Sequence, residues 1–230
     1  MATHLDLEEQ EQIDALKHFW TRYGSLISGV LVLILGGLTA WNGYQYWQNR
    51  QGTQAAALYD EIERAATAAD LPRVERAYAD IRDAYPSTTY AAQAALLAAK
   101  VEYDKATPEG IAAAKSALAW VIEKSSDPGY QAIARLRLSS VLLEAKDYDA
   151  ALQQISAIVP KEFEPLVNDR KGDILQLQGK KPEAIAAYTA AYQQLDEQVN
   201  YRQLVEVKLA ALGVDIKSAT TTATTTSTGG

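Results

Sequence analysis

The sequence predicts an all-α chain with one membrane-spanning helix near its N-terminus, followed by an α-solenoid of about four helix pairs and a capping helix. Three observations carry that prediction. A run of 27 residues, from Tyr23 to Asn49, holds no charged side chain. Beyond Gln51 the composition is almost uniformly helix-forming, rich in Ala, Leu, Glu, Lys, Arg and Gln. Pro and Gly fall mainly between the periodic segments, and no stretch alternates apolar with polar residues as a half-buried strand would.

The uncharged run comes first. As a helix it reaches about 40 Å, more than the ~30 Å hydrocarbon core of a bilayer. Its most apolar part is LISGVLVLILGGLTA, from Leu26 to Ala40. Phe19, Trp20 and Tyr23 stand before it, and Trp41, Tyr44, Tyr46 and Trp47 after it. Amphipathic rings at both ends suit the headgroup layers. A cleaved signal fits badly: ending at Ala40 puts Leu38 where a small residue is needed, and bulky aromatics follow. The expected arrangement is a short cytoplasmic N-terminus over 1–22, a transmembrane helix over 23–47, a helical domain over 48–213 and a disordered Thr-rich tail over 214–230. Lys17 and Arg22 lie close before the span, while only Arg50 lies close after it. That bias favours a type II orientation, with the C-terminal domain outside the cytoplasm.

Ser25, Gly29, Gly36, Ala40 and Gly43 fall within about 60° of one another on this helix. Small residues on one face let a second membrane helix approach closely. The same residues also fit the general abundance of glycine in membrane helices, so both readings stand at this point.

Beyond the anchor, the breaks place helices near 53–69, 72–84, 88–104, 108–124, 129–145, 147–159, 163–179, 182–196 and 200–212. Paired helices of this length with short turns suggest a solenoid. The repeat is clearest in ARLRLSSVLLEAKDYDAALQQISAIVP, from Ala134, and NDRKGDILQLQGKKPEAIAAYTAAYQQLD, from Asn168. Aligning Ala151 with Ala184 gives a step of 33, close to the 34 of the tetratricopeptide repeat. Gly172 then falls where two helices press together, Gly179 ends the first helix, and Ala184, Tyr188 and Ala191 form the buried face of the second. Ser139, Ala151, Ile155 and Ile158 take those places in the preceding unit. Earlier pairs are more degenerate: Tyr78, Ile81 and Pro86 close one unit, Tyr90, Ala91 and Ala94 open the next, and Ile111, Ala114, Leu118 and Val121 make a helical stripe.

Composition removes whole classes of function. The net charge of −7, from 29 acids and 22 bases, argues against a nucleic-acid partner. With no cysteine there are no disulfides, thiolate metal sites or thiol nucleophiles. Both histidines, His4 and His18, precede the anchor, so the main body lacks the usual general base and zinc ligand. The segment from Gly172 to Lys180 superficially matches a phosphate loop. Its glycines are spaced wrongly, Lys181 stands where Ser or Thr is required, and no strand precedes it. Arg135 with Arg137, and Asp169 with Arg170 and Asp173, suit either a peptide's charged groups or local ion pairs. Trp120, among Leu118, Val121 and Ile122, reads as core.

In a solenoid of this kind the first helix of each pair lines an extended face suited to a peptide segment. By their offset from Gly172, Leu166, Asp169, Asp173 and Gln176 are the expected groove residues of the last pair. Ile133, Leu136, Ser140 and Leu143 are their counterparts one unit earlier. This mixture suits an extended, unfolded segment better than one small ligand.

The order of the parts is itself informative. The acidic leader EEQEQIDALKHFWTRYG, the uncleaved anchor, YPSTTYAAQAALLAAKVEYDK, LAWVIEKSSDPGYQAIARLRLSSVLLEAKDYDAAL and RKGDILQLQGKKPEAIAAYTAAY follow one another. From about Glu8 to Gly213 the chain resembles the YfgM family, the ancillary subunit of the SecYEG translocon in Gram-negative bacteria. The resemblance implies a single-pass inner-membrane protein with a periplasmic tetratricopeptide-like domain. It implies association with SecYEG and with a PpiD-like periplasmic chaperone, assisting translocated client proteins, and it brings no enzymatic activity and no cofactor. A membrane-anchored scaffold for other cell-envelope assembly, and an enzyme using carboxylates alone, are the other classes the residues permit.

Overall fold

The computed structural model describes residues 7–196, 198 and 200–214. The tail expected to be disordered lies, apart from Val214, outside them. The chain divides into two units, the first ending at Thr53 and the second beginning at Gln54.

Helix α1, Leu7–Thr67, runs uninterrupted through the expected anchor and the first solenoid segment. No proline occurs within it. Thr21, Thr39 and Thr53 fold their hydroxyls back onto carbonyls four residues earlier, so even its polar positions are satisfied along the helix. Within it lies a stretch long and apolar enough to cross a membrane, of which only 6 % is buried. A core helix of a water-soluble fold would be mostly covered, and this one is not.

The second unit holds the end of α1 and α2 (Leu71–Ala84), α3 (Thr89–Asp104), α4 (Pro108–Lys124), α5 (Pro128–Glu144), α6 (Tyr148–Ile155), α7 (Glu164–Leu177), α8 (Lys181–Gln194) and α9 (Asn200–Ala211), with a 3₁₀ turn over Lys161–Phe163 before α7. The starts were legible because they use short polar caps. Asp70, Thr88, Thr107, Asp127 and Asp147 each accept a hydrogen bond from a backbone N–H two or three residues on. Pro72, Pro108, Pro128, Pro165 and Pro182 sit in first turns, where a missing N–H costs nothing.

The repeat shows most clearly in how alternate helices end. The described residues with positive φ are Ala69, Ala106, Lys146, Gly179 and Gly213, in steps of 37, 40, 33 and 34 residues. Each follows α1, α3, α5, α7 or α9, the first helix of a pair or the cap. At four of them the next N–H donates back to a carbonyl five residues earlier: Asp70 to Ala65, Asp147 to Leu142, Lys180 to Leu175 and Val214 to Leu209. This is the six-to-one bond of a Schellman turn. The second helices of the pairs end without it.

Packing follows the same register. Four successive cores each join one pair to the next first helix: Ile62, Val74 and Ile81 with Ala91 and Ala94 of α3; Leu118 and Val121 with Leu138 of α5; Ala151 and Ile155 with Ile174 of α7; and Ala184 and Tyr188 with Val205 and Leu209 of α9. Such nearest-neighbour cores are what a solenoid requires. Trp120 packs against the first two of them.

One position departs from expectation. Helix α6 stops at Ile155, and Ile158, expected to be buried, is fully exposed at 102 %. Proline at 160 disfavours the α conformation at residue 159, so the last turn of the expected helix cannot form.

Candidate functional site

The eight expected groove residues fall on α5 and α7, but the structure uses them unequally. Ile133, Leu136 and Ser140 of α5 are half-buried, as are Leu166 and Asp173 of α7, and Gln176 is exposed. Leu143 is buried in the core with Ala151, Ile155 and Ile174, and presents no groove surface. Asp169 is only 1 % exposed, because α9 covers it. These two are corrections to the sequence reading. Both follow from packing between neighbouring units, which an offset from Gly172 cannot show.

The cover over Asp169 is specific. Asp169 and Asp173 lie one turn apart on α7; Tyr201 and Lys208, two turns apart, share one face of α9. Tyr201 OH donates to Asp169 Oδ2 at 2.6 Å, and Lys208 Nζ lies 2.8 Å from both Asp169 oxygens and 2.7 Å from Asp173 Oδ1. Tyr188 OH from α8 sits 2.7 Å from Asp173 Oδ1 and 2.9 Å from Gln176 Oε1, and the Lys208 ammonium stands 5.3 Å from the centre of the Tyr188 ring. Arg170 adds a longer contact to Asp173 at 3.5 Å. The cluster of acids is therefore a clasp joining α7, α8 and α9. The preceding joint is built otherwise: Leu136 and Val167 pack against the core shared by α5, α6 and α7.

The sequence reading missed Tyr201 and Lys208. Their seven-residue spacing was visible, but nothing local tied them to acids more than thirty residues earlier.

The clasp predicts an alkaline transition. Burial, and then the hydrogen bond to Asp173, push the Tyr188 phenol above its ordinary range; burial and the bond to Asp169 do the same for Tyr201. Above about pH 10 the unfolded chain releases these protons while the folded one keeps them. Their stabilising contribution is therefore complete below about pH 10 and is lost as pH rises further. Titration at 295 nm should show part of the tyrosinate signal appearing only as helix is lost. Complete ionisation with the helical signal intact would contradict the clasp.

On α1, Gly29, Gly36 and Gly43 have no heavy atom within 4 Å of where a Cβ would stand. Gly172 is the opposite case. A Cβ there would come within 2.5 Å of Tyr188 Cδ1 and 2.8 Å of Cγ, so the helices of the last pair meet only because this residue is glycine. The segment that superficially matched a phosphate loop is thus an interhelical contact. Among the described residues, no group of three His, Cys, Asp or Glu side chains could hold a metal ion.

With this geometry in view, comparison with known proteins is decisive. Residues 17–214 match the family model of a tetratricopeptide repeat-like domain. A protein of Neisseria gonorrhoeae is 35 % identical over 92 % of this chain and 100 % of its own length. That protein is named an ancillary SecYEG translocon subunit. The chain belongs to the YfgM family. Relatives bearing the same name occur in Escherichia coli, 29 % identical over 79 % of this chain and 86 % of the relative, and in Haemophilus influenzae, 28 % identical over 84 % and 94 %. As a YfgM-family member the chain carries a tetratricopeptide-like domain beside a candidate membrane helix, as the sequence led one to expect.

Proposed function

We propose that this chain is a non-enzymatic accessory subunit of the Sec translocon. In this reading α1 anchors it in the inner membrane as a type II protein, and the solenoid stands in the periplasm. There it binds a PpiD-like chaperone and assists the handover of translocated proteins. The observation that carries the reading is the end-to-end match to the Neisseria relative. The small excess of Lys and Arg before the span supports the orientation. Solenoids bind through extended surfaces and need no catalytic group, which agrees with a body free of His and Cys.

Photocrosslinking in cells from Gly36 and from the exposed Gln176 tests it. Adducts to translocon subunits and to a membrane-anchored chaperone are the expected result. Adducts confined to other envelope-assembly proteins would overturn it in favour of a scaffold.

The membrane partner is proposed to meet the face carrying Ser25, Gly29, Gly36, Ala40 and Gly43. Closely packed helices in a bilayer need small residues at the contact, and the three open glycines provide the space. Gly29→Leu with Gly36→Leu should cut co-purified translocon severalfold without changing membrane insertion. Full recovery of the translocon with the double variant would sink that assignment.

A further inference from the structure

Helices α3, α4 and α5 enclose an open cavity of about 330 Å³. Ala114 and Leu118 of α4 and Val141 of α5 supply apolar walls, and Tyr103, Lys100, Arg137 and Ser140 stand among its polar lining. Tyr103 OH donates to the Glu144 carboxylate, which ties the C-terminal ends of α3 and α5 together at this cavity. At this volume it lies at the small end of ligand sites, with room for about one large side chain and its immediate surroundings.

Its charge is unusual for this chain. Two cations and one acid line the cavity, in a protein whose net charge is −7. Lys100 is paired with Asp104 at 2.6 Å and the Glu144 carboxylate is taken by Tyr103. Arg137 donates to the Leu96 carbonyl at 3.1 Å, and among the described residues no carboxylate pairs with it. The Ser140 hydroxyl donates to Leu136 O, leaving its lone pairs to accept. The cavity thus offers an apolar interior beside one uncommitted guanidinium, which favours an anionic group next to an apolar one.

We infer that this cavity binds a bulky apolar side chain of an extended polypeptide whose neighbouring residue is acidic, the side chain filling the space over Leu118 and the carboxylate pairing with Arg137. This deepens the client-handling part of the function proposed above and rests on that reading only for where such polypeptides come from.

The test uses the full-length protein in detergent and three dye-labelled peptides followed by anisotropy: Ser-Asp-Trp-Asp-Ser, its Lys-flanked counterpart, and its Ala-centred counterpart. The acidic Trp peptide should bind at least tenfold more tightly than either of the others. Arg137→Glu should remove that preference over the Lys-flanked peptide. Ser140→Phe, which fills the mouth, should weaken both Trp peptides at least tenfold. Circular dichroism reports whether each variant is folded; if Ser140→Phe is not, the surface variant Arg137→Glu decides alone. Equal affinity for the three peptides, or unchanged selectivity in a folded Arg137→Glu, overturns the inference. Co-purification of SecYEG with the same proteins separates the two readings: retained translocon with no peptide selectivity refutes the cavity and leaves the accessory role standing, whereas peptide selectivity without translocon does the reverse.

Discussion

Asp169→Ala is expected to free α9 from the solenoid while the preceding helix pairs stay folded. Removing this carboxylate leaves Tyr201 OH without its acceptor and Lys208 with Asp173 alone. Breaking a buried pair from one side costs about 3–5 kcal/mol. The lower end applies here, because the Lys208 side chain is 23 % exposed and regains solvent on release. The loss falls on one joint. In a chain of nearest-neighbour cores, a terminal joint opens without its distant neighbours. Hydrogen exchange should therefore accelerate by about two orders of magnitude at Val205 and Leu209, a factor of ten corresponding to about 1.4 kcal/mol. Amides of α3 and α4 should exchange as before. Unaltered protection of α9 would mean that the apolar contacts of Val205 and Leu209 hold the helix alone. This expectation replaces the one the sequence suggested, that Asp169→Arg with Asp173→Arg would weaken partner binding without structural change. Loss of a partner in that double variant would report a displaced α9 as readily as a lost contact.

The difference between those two expectations shows what the chain reveals of itself. Helix positions were legible because capping residues and prolines act within a turn, and Asp70, Thr107 and Asp147 signal their helices by local chemistry. The register of the repeat was legible only where it used glycine. At Ala69, Ala106 and Lys146 the same left-handed turn is made by residues that do not advertise it, so the earlier pairs looked degenerate in sequence while their backbones keep the period. The site was harder still. Tyr201 and Lys208 reach Asp169 across 32 and 39 residues, and no periodicity within one helix encodes which neighbour will cover it. Arg137 was visible as one of two possible peptide contacts. That it lacks an acid beside an apolar cavity depends on how α3, α4 and α5 meet.

Exchanging the contact of one pair for that of the other should expose how far the repeat is modular. In the last pair Gly172 faces Tyr188; one unit earlier Ser139 and Ile155 hold the corresponding places. Each pair keeps a small residue opposite a large one. Gly172→Leu should be the most damaging substitution in the solenoid, because the Tyr188 ring is buried and anchored at its hydroxyl by Asp173 and Gln176. Overpacking of this kind costs about 3 kcal/mol or more, which the better helix propensity of Leu, worth ~1 kcal/mol, does not offset. The smaller change Gly172→Ser should still lose stability, since a Cβ already meets the ring. Tyr188→Ile alone should lose stability by a different route, leaving space above Gly172 and removing a hydroxyl from the clasp. Together they reproduce the small-and-large arrangement of the preceding pair, so the double variant should be more stable than the sum of the single losses predicts. A coupling of about 1–3 kcal/mol is expected for residues in direct contact, measured by denaturant unfolding of the four proteins in one double-mutant cycle. The recovery should be partial, because isoleucine cannot replace the hydrogen bonds to Asp173 and Gln176. Strict additivity would show that Gly172 and Tyr188 do not constrain one another, and that the glycine serves the helix ends instead of the pair's interior.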